Sequence, residues 1–301
     1  MKCYDSSFSA TNQYVFECRS DLAANLVGYH FQPGLKSGTA MRKALVFLSI
    51  PLLAHDLYFL PPSFRLQPGE KIRIAFHNGD AFPESETNAP IERIRNAQAM
   101  SKTGSTPITG LRKSGKEVLG EAAFPGSGDV ILSARTVPNF IQMEPTKFEA
   151  YLKEEGLDHA LRWRSEHGQS KLPGKERYSK YVKALMFSGE PSSFFDHVVG
   201  FVIEIIAESN PSLLKPGEKL PIRVQFRGKP VVGLAVESAV APLVGKAKVT
   251  VVGKTDKGGR VSVPITHRGR WRIHTMVMER CAEQAAADWE SFWATLTFEN
   301  R

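Results

Sequence analysis

Apolar and polar residues alternate along much of the chain after residue 56. Over 72–76, and again over 222–226, this alternation places the apolar residues on one face of a strand. A Pro-Gly turn precedes the strand in both places, and the flanking residues are similar. This weak internal repeat predicts a mainly β fold of two β-sandwich modules, Ig-like or transthyretin-like, each opening with a similar strand.

The two modules are predicted to span 55–208 and 209–301. In the second module, the alternating pattern predicts strands at 220–226, 231–238, 247–252, 260–265, 271–278 and 294–298. Residues 255–260 read Thr-Asp-Lys-Gly-Gly-Arg, and Asp and Gly supply the backbone torsions of a tight turn. We therefore expect a hairpin at this point.

The first module changes from a β period to a helical period part of the way along. A small helical insertion is predicted at about 145–187, with helices over 145–155, 157–167 and 177–187. Strands are predicted at 130–135 and 140–142. The polar stretch 83–104 is expected to be a long loop.

Residues 41–54 combine the parts of a secretory signal peptide. The segment opens with Arg42 and Lys43, continues as an apolar run and ends at the small residue Ala54. The run is shorter than the roughly 20 residues of a membrane-spanning helix, and a buried core segment is the alternative interpretation. We expect cleavage behind Ala54, a periplasmic or secreted location, and no integral membrane segment in the mature chain. Residues 1–40 are then expected to be a non-native or disordered extension.

Charge and cysteine content narrow the classes of function. The formal net charge is +8, but the basic residues are scattered and not interleaved with aromatic residues as in a nucleic-acid-binding stripe, so nucleic acid is not an expected partner. Of the three cysteines, Cys3 and Cys18 precede the expected cleavage point. The mature chain would retain Cys281 alone, which excludes an intramolecular disulfide and favours a buried, inert thiol.

Four segments resemble one known family. They are AHDLY at 54–58, FEAYLKEEGLD at 148–158, YSKYVKAL at 178–185 and DWESFWATLTF at 288–298. Together they are similar to the domain-of-unknown-function family numbered 4198, whose members are loosely labelled as periplasmic nickel/cobalt-uptake-related proteins. The resemblance covers about 44–301. It implies an exported accessory protein, with membrane transporter components as partners.

His55 is the strongest candidate for a metal ligand. Cleavage behind Ala54 would give this residue a free α-amine, and that amine and ring Nδ1 can bind one metal ion together. Imidazole suits nickel, cobalt, copper and zinc ions. The alternative is that His55 is merely tolerated after the cleavage point.

Further ligands are less certain from the sequence. His274, Met276 and Met278 lie on one face of a predicted strand, where a histidine and two thioethers would suit Cu(I). A half-buried sheet face is the favoured interpretation of that pattern. His77 ends a strand beside Asn78-Gly79, so a turn-capping role is at least as good an interpretation as a ligand. In the family, a histidine commonly lies directly before the methionine that corresponds to Met278. This chain has Val277 at that position, so it departs from the family pattern.

These observations predict an exported protein that binds a nickel or cobalt ion, with copper as the alternative, and that assists its uptake or delivery. A metal-free β-sandwich module that binds a cell-envelope partner or a glycan is the alternative function. The sequence has no nucleophile elbow, Walker-type phosphate loop or dinucleotide fingerprint, so we do not expect an enzyme.

Overall fold

The computed structural model describes residues 55–67, 70–124, 126, 128–190 and 192–300. Eighteen strands and two α-helices lie in these ranges, which confirms the prediction of a mainly β chain. The expected signal segment 41–54 and the expected extension 1–40 lie outside the described residues.

The strands alternate between short edge segments and long central ones. Those before the helices are β1 (Leu57–Phe59), β2 (Arg65–Leu66), β3 (Ile72–Asn78), β4 (Ile94–Ser101), β5 (Gly104–Pro107), β6 (Thr109–Ser114), β7 (Glu117–Ala122), β8 (Val130–Thr136) and β9 (Asn139–Met143). The helices are α1 (Pro145–Glu154) and α2 (Asp158–Glu166). The strands that follow are β10 (Gly174–Ser188), β11 (Ile203–Ala207), β12 (Lys219–Phe226), β13 (Lys229–Pro230), β14 (Ala235–Pro242), β15 (Lys248–Lys254), β16 (Arg260–Pro264), β17 (Gly269–Arg280) and β18 (Trp289–Asn300).

These strands form one large sheet and two small ones. The large sheet has the order β15-β14-β17-β18-β10-β8-β4-β5, and β2 and β9 pair with β10 beside this path. One small sheet has the order β1-β3-β7-β6. In the other, β12 pairs with β11, β13 and β16.

The two small sheets cover opposite faces of the large sheet. On β10, Val182 and Ala184 pack into a core with β1 and β3, whereas Leu185 and Phe187 pack into a second core with β11 and β12. Side chains of a strand alternate between its two faces, so these two cores must lie on either side of the large sheet. The result is a sandwich-like arrangement of three β layers.

The two helices lie on the same face of the large sheet as β1. Phe148, Tyr151 and Leu152 of α1 share one side and are buried against Trp289 and other residues of the large sheet. Gly156 follows the C-terminal end of α1, and its φ of +68° is a backbone conformation that glycine adopts readily. The predicted helices over 145–155 and 157–167 are thus confirmed.

The third predicted helix, over 177–187, is wrong, because these residues form most of β10. Almost all of the strand from Tyr178 onward is buried, since it lies in the middle of the large sheet and is covered on both faces. A strand buried on both faces loses its apolar–polar alternation, and its apolar residues then fit a helical period as well as a strand period.

The predicted loop at 83–104 is also wrong in its second half, which contains β4. The pairing of β4 with β8 shifts register between Arg95 and Gln98, and Asn96 has a φ of +52°. This bulge breaks the alternation of side chains and hides the strand in the sequence.

The expected division into modules at residue 208 does not correspond to a break between sheets. Strand β10, before that point, pairs in parallel with β18, the last described strand, over Glu176–Ala184. Strands from both sides of residue 208 therefore belong to one continuous sheet. The turn at 255–260 forms as predicted, with Asp256 accepting backbone hydrogen bonds from Gly258 and Arg260, but it is not a hairpin. It joins β15 of the large sheet to β16 of a small one.

Candidate functional site

Strand β1 brings His55 and Asp56 onto the face of the large sheet. The hydroxyl groups of Thr295 and Thr297 on β18 donate hydrogen bonds to the carbonyl oxygens of Leu57 and Phe59, at 2.7 and 2.8 Å. The other edge of β1 pairs with β3. Two independent sets of hydrogen bonds thus fix the position of the residues that precede β1.

His55 lies against two carboxylates. Its Nδ1 atom is 3.0 Å from Oδ2 of Asp80 and 3.3 Å from Oε2 of Glu86. One ligand atom from each of the three residues lies within 4.8 Å of the other two. The His55 side chain is 12% exposed and that of Asp80 is 53% exposed, so the group opens to solvent on the carboxylate side. We call His55, Asp80 and Glu86 the carboxylate–histidine cluster.

The loop after β3 holds the two carboxylates in place. Asp80 also accepts a hydrogen bond from the backbone N–H of Asp56 at 3.1 Å, and Glu86 accepts one from the N–H of Ala81 at 3.2 Å. Neither acid is among the ligands that the sequence predicts. The only signal for them is an acid-rich segment directly after a strand, at 80–86, and that signal does not specify a partner.

A buried ionic network lies next to this cluster. Asp56 forms ion pairs with Arg272 and His274: its two oxygens are 2.9 Å from Nη1 of Arg272 and 2.8 Å from Nδ1 of His274. The network continues from His274 Nε2 to Glu155 at 3.2 Å and from Arg272 Nη2 to Glu237 at 3.0 Å. These five residues, which we call the ionic network, connect the residue before β1, the C-terminal end of α1, β14 and β17.

The carboxylates of this network raise the pKa of His274. Burial alone would lower the pKa of His274, but Asp56 and Glu155 outweigh it and raise that pKa to about 10. Burial alone would likewise raise the pKa of Asp56, yet His274 and Arg272 hold it well below its usual range. At neutral pH both ring nitrogens of His274 carry protons, and a protonated imidazole has no lone pair for a metal ion. In this state His274 has carboxylates at both ring nitrogens, and its role as a metal ligand stays a prediction.

The other predicted ligands are not brought to His55 either. His77 Nδ1 lies 3.0 Å from the carbonyl oxygen of Pro83, and its Nε2 lies 3.4 Å from Glu117. The sulfur of Met276 lies 3.6 Å from the Tyr151 hydroxyl oxygen, and Met278 is buried against the helices. The soft ligand set that would suit Cu(I) is not assembled, and these two methionines belong to the apolar core.

Two cavities flank the cluster. The first, of about 600 Å³, is lined by the ionic network together with Asp80, Tyr151, Trp293 and the valines of β15; we call it the network cavity. The second, of about 200 Å³, is lined by His55, Arg93, Tyr178 and Lys180 among others; we call it the lysine cavity. Lys180 donates a hydrogen bond to the carbonyl oxygen of His55, and burial lowers its pKa to about 8.

The buried carboxyl group of Glu176 lies behind the wall of the network cavity. Glu176 accepts hydrogen bonds from the hydroxyl groups of Tyr151, at 3.1 Å, and Ser291, and Ser291 in turn accepts from Trp293 Nε1 at 2.9 Å. Burial raises the pKa of Glu176 to about 7, against the opposing effect of these hydrogen bonds. This group holds the two aromatic residues that face the cavity.

The described residues therefore define a layered, mainly β protein with a carboxylate–histidine cluster at the start of its first strand. The chain belongs to the family described as Domain of unknown function (DUF4198), whose model matches residues 52–279, and the resemblance noted in the sequence is confirmed. No match was found among curated proteins.

Among solved structures, the chain is similar to a crystal structure of a mutant Salmonella alpha-2-macroglobulin. The identity is 9% and the TM-score 0.23, and the match covers 81% of this chain and 15% of that one. This chain thus spans only a small part of the length of that protein. In the part of the chain that the structure describes, neither helix has the length and apolar character needed to cross a membrane.

Proposed function

We propose that this chain is an exported accessory protein that binds a divalent transition-metal ion as cargo and assists its uptake or delivery. Nickel or cobalt is the proposed cargo, with Cu(II) as the alternative. The observation that carries the proposal is the carboxylate–histidine cluster, in which three ligand atoms lie within 4.8 Å of one another.

The two distances from His55 Nδ1 to the carboxylates are those expected between neighbouring ligands of one ion. Metal–nitrogen and metal–oxygen bonds of about 2.0–2.2 Å place neighbouring ligand atoms roughly 3.0–3.4 Å apart. His55 Nδ1 lies 3.0 and 3.3 Å from the two carboxylate oxygens, within that range. One imidazole and two carboxylates form a nitrogen–oxygen set that suits Ni²⁺, Co²⁺ or Zn²⁺ better than Cu(I).

The expected cleavage behind Ala54 would add a fourth ligand at the same place. The α-amine of a histidine closes a compact chelate ring with Nδ1 of its own side chain. Nδ1 is also the ring nitrogen that faces Asp80 and Glu86. The expected cleavage and the orientation of the ring therefore both favour Nδ1 of His55 as the metal-binding atom.

The exposure of the cluster suits a transient cargo. Asp80 is half exposed and the two carboxylates lie on a loop, so an ion there would keep open positions for water or for ligands of a partner. Structural metal sites, by contrast, are closed by protein ligands. A membrane transporter component is the proposed recipient.

Calorimetric titration with Ni²⁺, Co²⁺, Cu²⁺ and Zn²⁺ tests the proposal. The mature chain starting at His55 should bind at least one of these ions, and H55A should weaken binding tenfold or more. The double variant D80N/E86Q should weaken it as well, whereas H167A, at an exposed histidine of α2's C-terminal end, is a control that should bind as the parent does. Equal affinity in the parent, H55A and D80N/E86Q would refute the proposal.

The network cavity favours a second candidate, a metal-free module that binds a cell-envelope partner or glycan. Ligand pockets are typically concave, largely apolar and fitted with a few polar groups, and this cavity combines Tyr151 and Trp293 with the charged groups of the ionic network. Tryptophan fluorescence of the metal-free chain during titration with glycan fragments tests this candidate, and W293F should abolish a true response.

A further inference from the structure

The lysine cavity contains two cations without a carboxylate partner. Lys180 is 7% exposed and lies on β10, with its side chain on the face covered by β1. Within the described ranges, no Asp or Glu oxygen forms an ion pair with Lys180 or with Arg93. A buried charge is costly unless it is paired, so an unpaired one needs an explanation.

A second buried lysine on the same strand has a carboxylate partner and provides a comparison. Lys183, on the opposite face of β10, lies 2.7 Å from Glu204, and both side chains are almost fully buried. Lys180 instead donates to a neutral group, the carbonyl oxygen of His55. Asp56, Asp80 and Glu176 act on Lys180 only through space, and none of them lines the lysine cavity.

The remaining groups of the cavity are hydrogen-bond donors or neutral residues. Arg93 donates to the carbonyl oxygen of Val137, at 2.9 Å, and to the Tyr178 hydroxyl, at 3.1 Å. The Tyr178 oxygen also accepts from Asn139 at 3.0 Å, which leaves the phenol proton to be donated elsewhere. An ammonium has three N–H donors, and only one acceptor for Lys180 is found in the described chain.

We propose that the lysine cavity is a binding site for a small oxyanion, a carboxylate or phosphate group held by Lys180, Arg93 and Tyr178. Charge-assisted hydrogen bonds to carboxylate or phosphate are the strongest that these donors form. The cavity volume of about 200 Å³ is below the roughly 300–1,000 Å³ of pockets for drug-sized ligands, so the anion is a small one.

This site lies beside the proposed metal cluster but does not depend on it. His55 lines the lysine cavity and also contributes Nδ1 to the carboxylate–histidine cluster. Where the proposed function holds too, an anion bound beside His55 would be close to the cargo ion, and the cargo would then be recognised together with a small carboxylate or phosphate ligand.

Calorimetry on the metal-free mature chain tests the proposal, with citrate and inorganic phosphate as separate probes that distinguish the two chemistries. At least one probe should bind with a millimolar or tighter dissociation constant. The variants K180M and R93M should each weaken its binding by about tenfold or more, because each removes a charge-assisted hydrogen bond. K153M, which removes an exposed lysine of α1, is the matched control and should bind as the parent does.

Y178F keeps the aromatic ring and provides a milder variant in case K180M does not fold, and it should also weaken binding. Absence of binding by both probes, or equal binding by the parent, R93M and Y178F, would overturn the inference. H55A separates this inference from the proposed function: it should lose metal affinity yet keep anion affinity in the metal-free chain. Metal binding without anion binding would refute the anion site alone. Anion binding without metal binding would refute the metal site alone.

Discussion

Oδ1 of Asp56 lies 2.8 Å from Nδ1 of His274, and this contact joins the residue before β1 to the middle of β17. Both side chains are buried. The contact gives His274 an ionic partner, and its two ring nitrogens face Asp56 and Glu155. It also fixes the residue next to His55, so the ionic network positions the cluster that we propose as the metal site.

The variant D56N should destabilise the fold. Asparagine keeps the size of the side chain but removes the charge, so His274 and Arg272 would stay buried without their common partner. Breaking a buried ion pair by removing one member costs about 3–5 kcal/mol. Urea denaturation at pH 7 measures this loss in the free energy of unfolding.

A surface pair supplies the control for D56N. Asp158 lies 3.1 Å from Lys254, and both side chains are more than half exposed, so D158N should cost at most about 1 kcal/mol. A cost for D56N as small as that of D158N would contradict the view that the ionic network stabilises the start of β1.

The methionines of β17 should be dispensable for metal binding. The single variants M276L and M278L conserve side-chain volume in a packed core, and each should cost less than about 1.5 kcal/mol. Their affinities for Ni²⁺, Co²⁺ and Cu(I) should equal that of the parent in competition titrations with a coloured chelator. A loss of Cu(I) affinity in either variant would instead support the predicted Cu(I) site formed by His274 and the two methionines.

Local patterns in the sequence predicted the local parts of this fold. The helices α1 and α2 were predicted because their apolar spacing and their terminal glycines lie within a few residues of one another. Over 177–187 the apolar spacing predicts a helix instead of β10, because the burial of this strand depends on β8 and β18, which are distant in the sequence. Periodicity describes which face of a segment is apolar, and it fails where tertiary packing buries both faces.

The candidate site shows the same limit. His55 was predicted from its place behind Ala54, which is a local feature. Its neighbours Asp80 and Glu86 come from a loop that is brought to His55 by the pairing of β1 with β3. His274 is a predicted ligand because it shares a strand face with two methionines, and no local pattern indicates that Asp56 is its partner. Residue type and spacing thus identified one member of the cluster but could not identify its neighbours.

The variant G174A should destabilise the contact between α1 and β10. Gly174 has an ordinary strand backbone, but a Cβ atom there would overlap the ring of Phe148. Overpacking of a core costs about 1–3 kcal/mol. The double variant G174A/F148L checks the cause: if the clash is responsible, G174A should cost less in the F148L background, and additive costs in a denaturation cycle would contradict it.

Glu176 should make stability depend on pH in a defined window. Burial raises its pKa in the folded chain to about 7 from an ordinary value of 4.5, while the nearby Lys180 and Glu155 act on it in opposite directions. Between pH 4.5 and 7 the unfolded chain loses this proton and the folded chain keeps it, so the free energy of unfolding falls as the pH rises. The fall attributable to Glu176 is about 3 kcal/mol at most and is complete above pH 7.

The variant E176Q should remove this pH dependence, because glutamine has the uncharged shape of the protonated acid. The difference in free energy of unfolding between E176Q and the parent should therefore grow in favour of E176Q from pH 4.5 to 7 and stay constant above it. Urea denaturation at several pH values measures the difference, and E154Q, at an exposed glutamate of α1, should show no such trend. A constant difference between E176Q and the parent over the whole range would mean that Glu176 is ionised in the folded chain, and the aromatic wall of the network cavity would then rest on a carboxylate.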